Sequence, residues 1–133
     1  MAQREGEKTE KITINLGLVD LGQIDLLVQE GFYTNRTDFI RTAIRTQLAA
    51  RGDVLDQTAV RRTLTLGSCY YSARDLEEIR DAGQVIHIRV LGLATIAADV
   101  SPALALATIA SVEVLGAFRA PTAVRAALAA RIA

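Results

Sequence analysis

The chain has 133 residues, half of them apolar, and fifteen Lys+Arg balance fifteen Asp+Glu to a formal net charge of zero. That length allows one domain or two small ones, and the neutral balance excludes a diffuse basic field, so any contact with nucleic acid has to come from a local patch. A single cysteine, Cys69, excludes an intrachain disulfide and suits a reducing compartment. No apolar run reaches the roughly 18–20 residues that span a bilayer, and the charged start MAQREGEKTE has no apolar segment of signal-peptide type. The expectation is a cytoplasmic protein, without a membrane partner, whose residues 1–9 are mobile.

The first patterned stretch is EKITINLG, residues 10–17. Ile12, Ile14 and Leu16 alternate with Lys11, Thr13 and Asn15, which predicts a strand with one buried and one open face. In the next stretch Leu18, Leu21, Ile24, Leu27 and Val28 recur at three- and four-residue spacing, the stripe of an amphipathic helix, and Gly31 stands at its C-cap. A second helix follows. Asn35 and Asp38 stand three apart as in a capping box, with Thr34 the rival cap. Phe39, Ile40, Ala43, Ile44 and Leu48 form its inner face, and Arg36, Arg41, Arg45 and Arg51 fall mostly outside it. Strand, helix, helix over residues 10–52 is too short to build an adequate core alone, and a lone strand leaves both edges unpaired. Pairing the strand antiparallel with the same strand of a second copy, across a twofold axis, repairs both defects. Ile12, Ile14, Leu16, Ile24, Phe39, Ile40 and Ile44 then form a shared dimer core.

Residues 53–59, DVLDQTA, read as a polar linker. In residues 60–133 the dipeptide Leu-Gly recurs at Leu66-Gly67, Leu91-Gly92 and Leu115-Gly116, spaced 25 and then 24 residues. Each copy closes a strand-like run, and each is followed by a helix-like one: SARDLEEIRDAG with Ser72 and Asp75 three apart, SPALALATIA with Ser101 as cap and Pro102 at the first helical position, and PTAVRAALAARIA. The period predicts about three stacked strand-turn-helix units. A ferredoxin-like βαββαβ sandwich is the alternative, if IHIRV and LATIA are separate antiparallel strands. The overall fold class expected is α+β.

Strand-helix-helix with KITINL and then YTNRTDFIRTAIRTQL resembles the ribbon-helix-helix family of DNA-binding proteins, which includes Arc-, MetJ- and CopG-type repressors. In that family a two-stranded antiparallel ribbon enters the major groove. The resemblance implies that Lys11, Thr13 and Asn15 reach base edges, and the residue types fit: Lys donates to guanine, Asn pairs bidentately with adenine, and Thr offers a hydroxyl and a methyl. Thr34, Asn35 and Arg36 sit at the start of the second helix, where free amides and the helix dipole favour a phosphate. Residues 31–52 hold four Arg and one Asp, a local balance of +3, whereas residues 1–30 hold three basic and six acidic residues.

These features imply a homodimeric, sequence-specific DNA-binding regulator acting as a repressor on double-stranded DNA. Two other readings belong to different classes. The C-terminal repeats make an assembly module, with residues 60–133 building a higher oligomer on a scaffold, or they clasp a toxin as part of an antitoxin. His87, which alternates with Ile86 and Ile88, and Cys69 are too few for a nickel site, so no metal or other cofactor is expected. No nucleophile-base pair, phosphate-binding glycine loop or paired carboxylates stand out, and the chain does not read as an enzyme.

Overall fold

The computed structural model describes residues 9–133, and all but residue 9 of the N-terminal segment expected to be mobile lies outside them. The described residues fall into two compact units, one over residues 9–57 and one over 58–133.

The first unit contains helices α1 (Leu18–Gln29) and α2 (Arg36–Ala50). The strand expected over residues 10–17 is not formed in the single chain: residues 9–17 have no regular secondary structure. The physical reason is the one the sequence raised. A strand is held by hydrogen bonds to a neighbouring strand, and among the described residues no strand lies beside this segment. Residues 53–59, expected as a polar linker, are helical. They lie inside a third helix, α3 (Gly52–Arg61), which starts one residue after α2 ends. Arg51 stands between the two helices; its carbonyl accepts the Leu55 amide, and its own amide bonds the Leu48 carbonyl. The polar residues of DVLDQTA are thus a helix exterior, exposed at Asp53, Asp56 and Gln57.

The second unit is built of three strands, β1 (Thr65–Tyr71), β2 (Ile86–Ile96) and β3 (Ile109–Arg119), alternating with helices α4 (Ala73–Asp81), α5 (Pro102–Thr108) and α6 (Thr122–Ala127). The strands form one sheet in the order β1-β2-β3, and both pairings are parallel. The ferredoxin-like alternative is therefore excluded. IHIRV and LATIA belong to one continuous strand, β2, instead of two antiparallel ones. α4 packs beside α5 and α5 beside α6. Their Leu76, Leu104, Ala105 and Val124 share one core with Ile88, Val90, Ala94 and Ile96 of β2 and Ile109 and Val112 of β3. Strand, turn and helix thus repeat three times, with the helices in one layer. The caps follow the sequence signals. Ser72 and Asp75 form a reciprocal capping box on α4, and Ser101 accepts the Leu104 amide ahead of Pro102. Asp99 caps across the repeat, its carboxylate accepting the Ala73 amide at 3.1 Å.

The Leu-Gly period has a physical cause that the register makes visible. Gly67, Gly92 and Gly116 lie in one row across the sheet, each with a positive φ, +122°, +140° and +121°. A Cβ on Gly92 would overlap the Gly67 carbonyl oxygen, and a Cβ on Gly116 would overlap the Gly92 carbonyl oxygen. Only glycine supplies both the conformation and the space. Replacing Gly92 with Ala is expected to add an overlap of about 1–3 kcal/mol to a backbone strain of about 1–3 kcal/mol. Gly67→Ala meets nothing among the described residues and should carry the strain alone. Chemical denaturation of the two variants checks this order of stabilities.

Candidate nucleic-acid interface

The first unit carries the residues singled out for DNA. In the single chain the alternating segment is exposed on both faces. Ile12 is 76% exposed, Ile14 62% and Leu16 39%, and Lys11, Thr13 and Asn15 are exposed as well. Below the segment, Leu16, Ile24, Leu27 and Phe39 with Asp20 and Gln23 line a cavity of about 360 Å³. Ile24 is buried, Phe39 and Ile40 are half-buried, and Ile44 remains 50% exposed. Tyr33 packs edge-on against Phe39, with ring centroids 5.0 Å apart. Of the apolar residues named for a dimer core, Leu16, Ile24 and Phe39 line this cavity, while Ile12, Ile14 and Ile44 are left exposed by the single chain. Water against such a surface costs roughly 25 cal/mol for each Å² that a partner would bury.

The turn between α1 and α2 is fixed by local hydrogen bonds. After α1, the Gly31 amide bonds the Val28 carbonyl and the Phe32 amide bonds the Leu27 carbonyl, the double closure of a helix ending in a left-handed residue, here Gly31 at φ +85°. At the start of α2 the Asn35 side chain accepts the Asp38 amide at 2.8 Å, and the Asp38 carboxylate accepts the Thr34 amide at 2.9 Å. Arg36 reaches back to α1. Its Nε and Nη2 donate to the two carboxylate oxygens of Asp25 at 2.7 and 2.8 Å. This bidentate pair holds the Asp25 carboxyl below the usual carboxylate range and raises the Arg36 guanidinium. Eleven residues separate the partners, so no helical spacing in the sequence announces the pair.

Beside this corner lies a recess of about 340 Å³, lined by Thr34, Asn35, Thr37, Asp38, Arg41 and Arg45. The spacing explains it: Thr37, Arg41 and Arg45 are each one helical turn apart and share one face of α2. Among the described residues Arg41 and Arg45 have no ion pair. Of the three residues marked for phosphate from the sequence, Thr34 and Asn35 line this recess with Arg41 and Arg45, whereas the Arg36 side chain is turned to Asp25 and is not part of its lining. The two additional arginines were legible in principle, because four-residue spacing from the helix start marks one face.

The second unit holds the remaining candidates. His87 is exposed, with Nδ1 2.7 Å from the Ser111 hydroxyl. Cys69 is half-buried and free; burial, and next the neighbouring Cys69, push the Tyr71 hydroxyl up. Among the described residues no group of three or more His, Cys, Asp or Glu is arranged to hold a metal ion, and no helix is long and apolar enough to cross a membrane.

A family model described as the ribbon-helix-helix transcriptional regulator family matches residues 7–125. The chain belongs to that family. No curated protein and no solved structure matches this chain. The family match extends well past residue 52, through the three strands and into α6, so the repeat unit is part of the family pattern and not an unrelated appendage.

The Asp25–Arg36 pair gives a testable pH dependence in this ribbon-helix-helix protein. A carboxyl with a depressed folded pKa contributes stability above its unfolded pKa, ordinarily about 4, and loses it as the pH falls through the depressed folded value. Asp25→Asn should therefore lower the thermal midpoint of the α1–α2 corner at neutral pH, and the difference from wild type should vanish in acid. Melting followed by helix signal at a series of pH values measures it.

Proposed function

We propose that this chain is a homodimeric, sequence-specific DNA-binding regulator, acting as a repressor, that places an antiparallel ribbon made of residues 10–17 from two copies in the major groove. The observation that carries the reading is the exposed alternation of residues 11–16 over an uncovered apolar cavity, in a chain of the ribbon-helix-helix family. Pairing with a second copy satisfies the backbone of the segment and buries Ile12, Ile14 and Leu16 with Ile24, Phe39, Ile40 and Ile44. The same pairing turns Lys11, Thr13 and Asn15 outward together.

In this reading the outward face supplies base contacts. Lys11 donates to guanine, Thr13 meets a thymine methyl or a hydrogen-bonding edge, and Asn15 pairs with adenine. Thr34, Asn35 and Arg36 hold the flanking phosphate against the start of α2, where the first-turn amides and the helix dipole favour an anion. Arg36 also keeps α1 and α2 in place through Asp25, and Arg41 and Arg45 extend the positive surface along the phosphate backbone. A neutral chain with a local excess of arginine gives binding that depends on a few phosphate contacts and weakens with salt accordingly.

Salt-titrated binding to the DNA upstream of the protein's own gene tests the reading. A Thr13→Ala/Asn15→Ala variant should keep the dimer and lose about 1–3 kcal/mol for each good base contact removed, with an unchanged slope against salt. Arg41→Ala/Arg45→Ala should instead weaken binding to all sequences alike and flatten the salt slope. Equal binding by wild type and the Thr13/Asn15 variant on every DNA tried, in dimers of equal mass, would refute base readout by the ribbon.

A further inference from the structure

The geometry points to a second interface: the edge of β1 that no described strand covers in one copy of this chain docks in register on the outer edge of β3 in another, so that copies stack head to tail through the repeat unit. The glycine row carries the argument. The Gly67 carbonyl is aimed at the Cα of Gly92, and the Gly92 carbonyl at the Cα of Gly116. By the same repeat the Gly116 carbonyl is aimed outward from β3. The Val112 carbonyl, on the same side of that strand, does point outward and accepts the Ala133 amide at 2.8 Å. At the opposite edge, Gly67 adopts φ +122° although nothing lies within 4 Å of where its Cβ would be. Gly92 and Gly116 need their conformation to admit a neighbour's carbonyl. Gly67 has the same conformation and the same open space, with no carbonyl among the described residues to admit. The Gly116 carbonyl of another copy fits that space.

The register of the covered and uncovered rows supports the same occupant. Ile132 makes a parallel bridge to Val112 and so covers the first rows of the β3 edge. β1 begins with Thr65, whose row across the sheet is Val90 and then Val114. A docked β1 therefore enters beyond the Ile132 bridge and does not compete with it. Gly67 then lies beside Gly116, and Tyr70 beside Arg119, by the pairing that β1 and β2 already use. Leu66, 77% exposed, joins Leu115, 42% exposed, and prolongs the in-register row Leu66–Leu91–Leu115. The Phe118 carbonyl, which now accepts Arg125, exchanges that guanidinium for a strand amide. The contact is heterologous and leaves one edge open at each end, so it propagates. Each added copy extends the sheet by three strands at about 4.8 Å each.

Sedimentation velocity of the full chain over a wide concentration range tests this. The mass of wild type should grow beyond two copies. Leu66→Lys spoils the β1 edge and Leu115→Lys the β3 edge, because a charge on an edge strand opposes strand addition. Each variant alone should lose the growth. An equimolar mixture of the two should regain growth in mass beyond either variant alone, because β1 of the Leu115→Lys chain can still dock on β3 of the Leu66→Lys chain. That one contact is capped on both sides, and it extends further only where the ribbon dimer of the proposed function links the pairs. A wild type that stops at two copies at every concentration overturns the proposal, and this arm decides even if a variant fails to fold. Growth of either variant as in wild type overturns it as well. Growth lost in both variants and not regained on mixing also overturns it, and would mean that the leucine rows of two copies meet face to face.

Discussion

Extended backbone has to place its amides and carbonyls on a neighbour, and the architecture of this chain turns on where those neighbours come from. In the second unit they come from the chain itself: β1, β2 and β3 pair in parallel through crossover helices. In the first unit no described strand supplies them, and residues 9–17 stay without regular structure although the alternation over 11–16 is that of a strand. An exposed apolar face on that segment, above an uncovered cavity, describes half of a ribbon. The proposed dimer supplies the other half. Dimerisation and base readout then become a single event, because the residues that read DNA are the alternate residues of the strand that makes the dimer.

Much of this was legible in the sequence, for reasons of spacing. Both helices of the first unit, the Asn35 and Ser72 caps and the Ser101-Pro102 start all rest on side chains that act within one helical turn of themselves. The Leu-Gly period was legible as a repeat, but its cause was not, since a carbonyl approaching a glycine Cα from the neighbouring strand lies 25 residues away in the chain. Separations of 26 and 11 residues likewise hid the Asp99 cap on α4 and the Asp25–Arg36 pair. That DVLDQTA is helical was not legible because its polar residues were weighed and its helical continuity with α2 was not. The ferredoxin-like alternative failed on one point: β2 runs through Gly92 without turning back.

Charge follows the same division. The chain is neutral overall, and its arginine excess lies on α2, beside the recess that Arg41 and Arg45 line. Arg36 is held by Asp25 and fixes the corner that presents those two arginines. On the second unit charged groups are paired both at the sheet and along α4: Arg62 pairs with Glu113 at 2.6 Å, Arg89 donates to Thr63, and Arg74 pairs with Glu78. A twofold contact through the first unit and a propagating contact through the second would together join DNA-bound dimers to one another without any further partner, which gives the family's repeat unit a use on DNA.

The most direct test of the ribbon is amide hydrogen exchange at residues 10–17 of the full chain, followed as protein concentration is raised through the dimerisation range. The account predicts that these amides exchange freely in dilute solution and become protected in step with the dimer, to an extent shared along the segment. Fast exchange at every concentration, in a sample whose mass shows the dimer complete, would mean that the dimer forms elsewhere and that residues 10–17 make no ribbon.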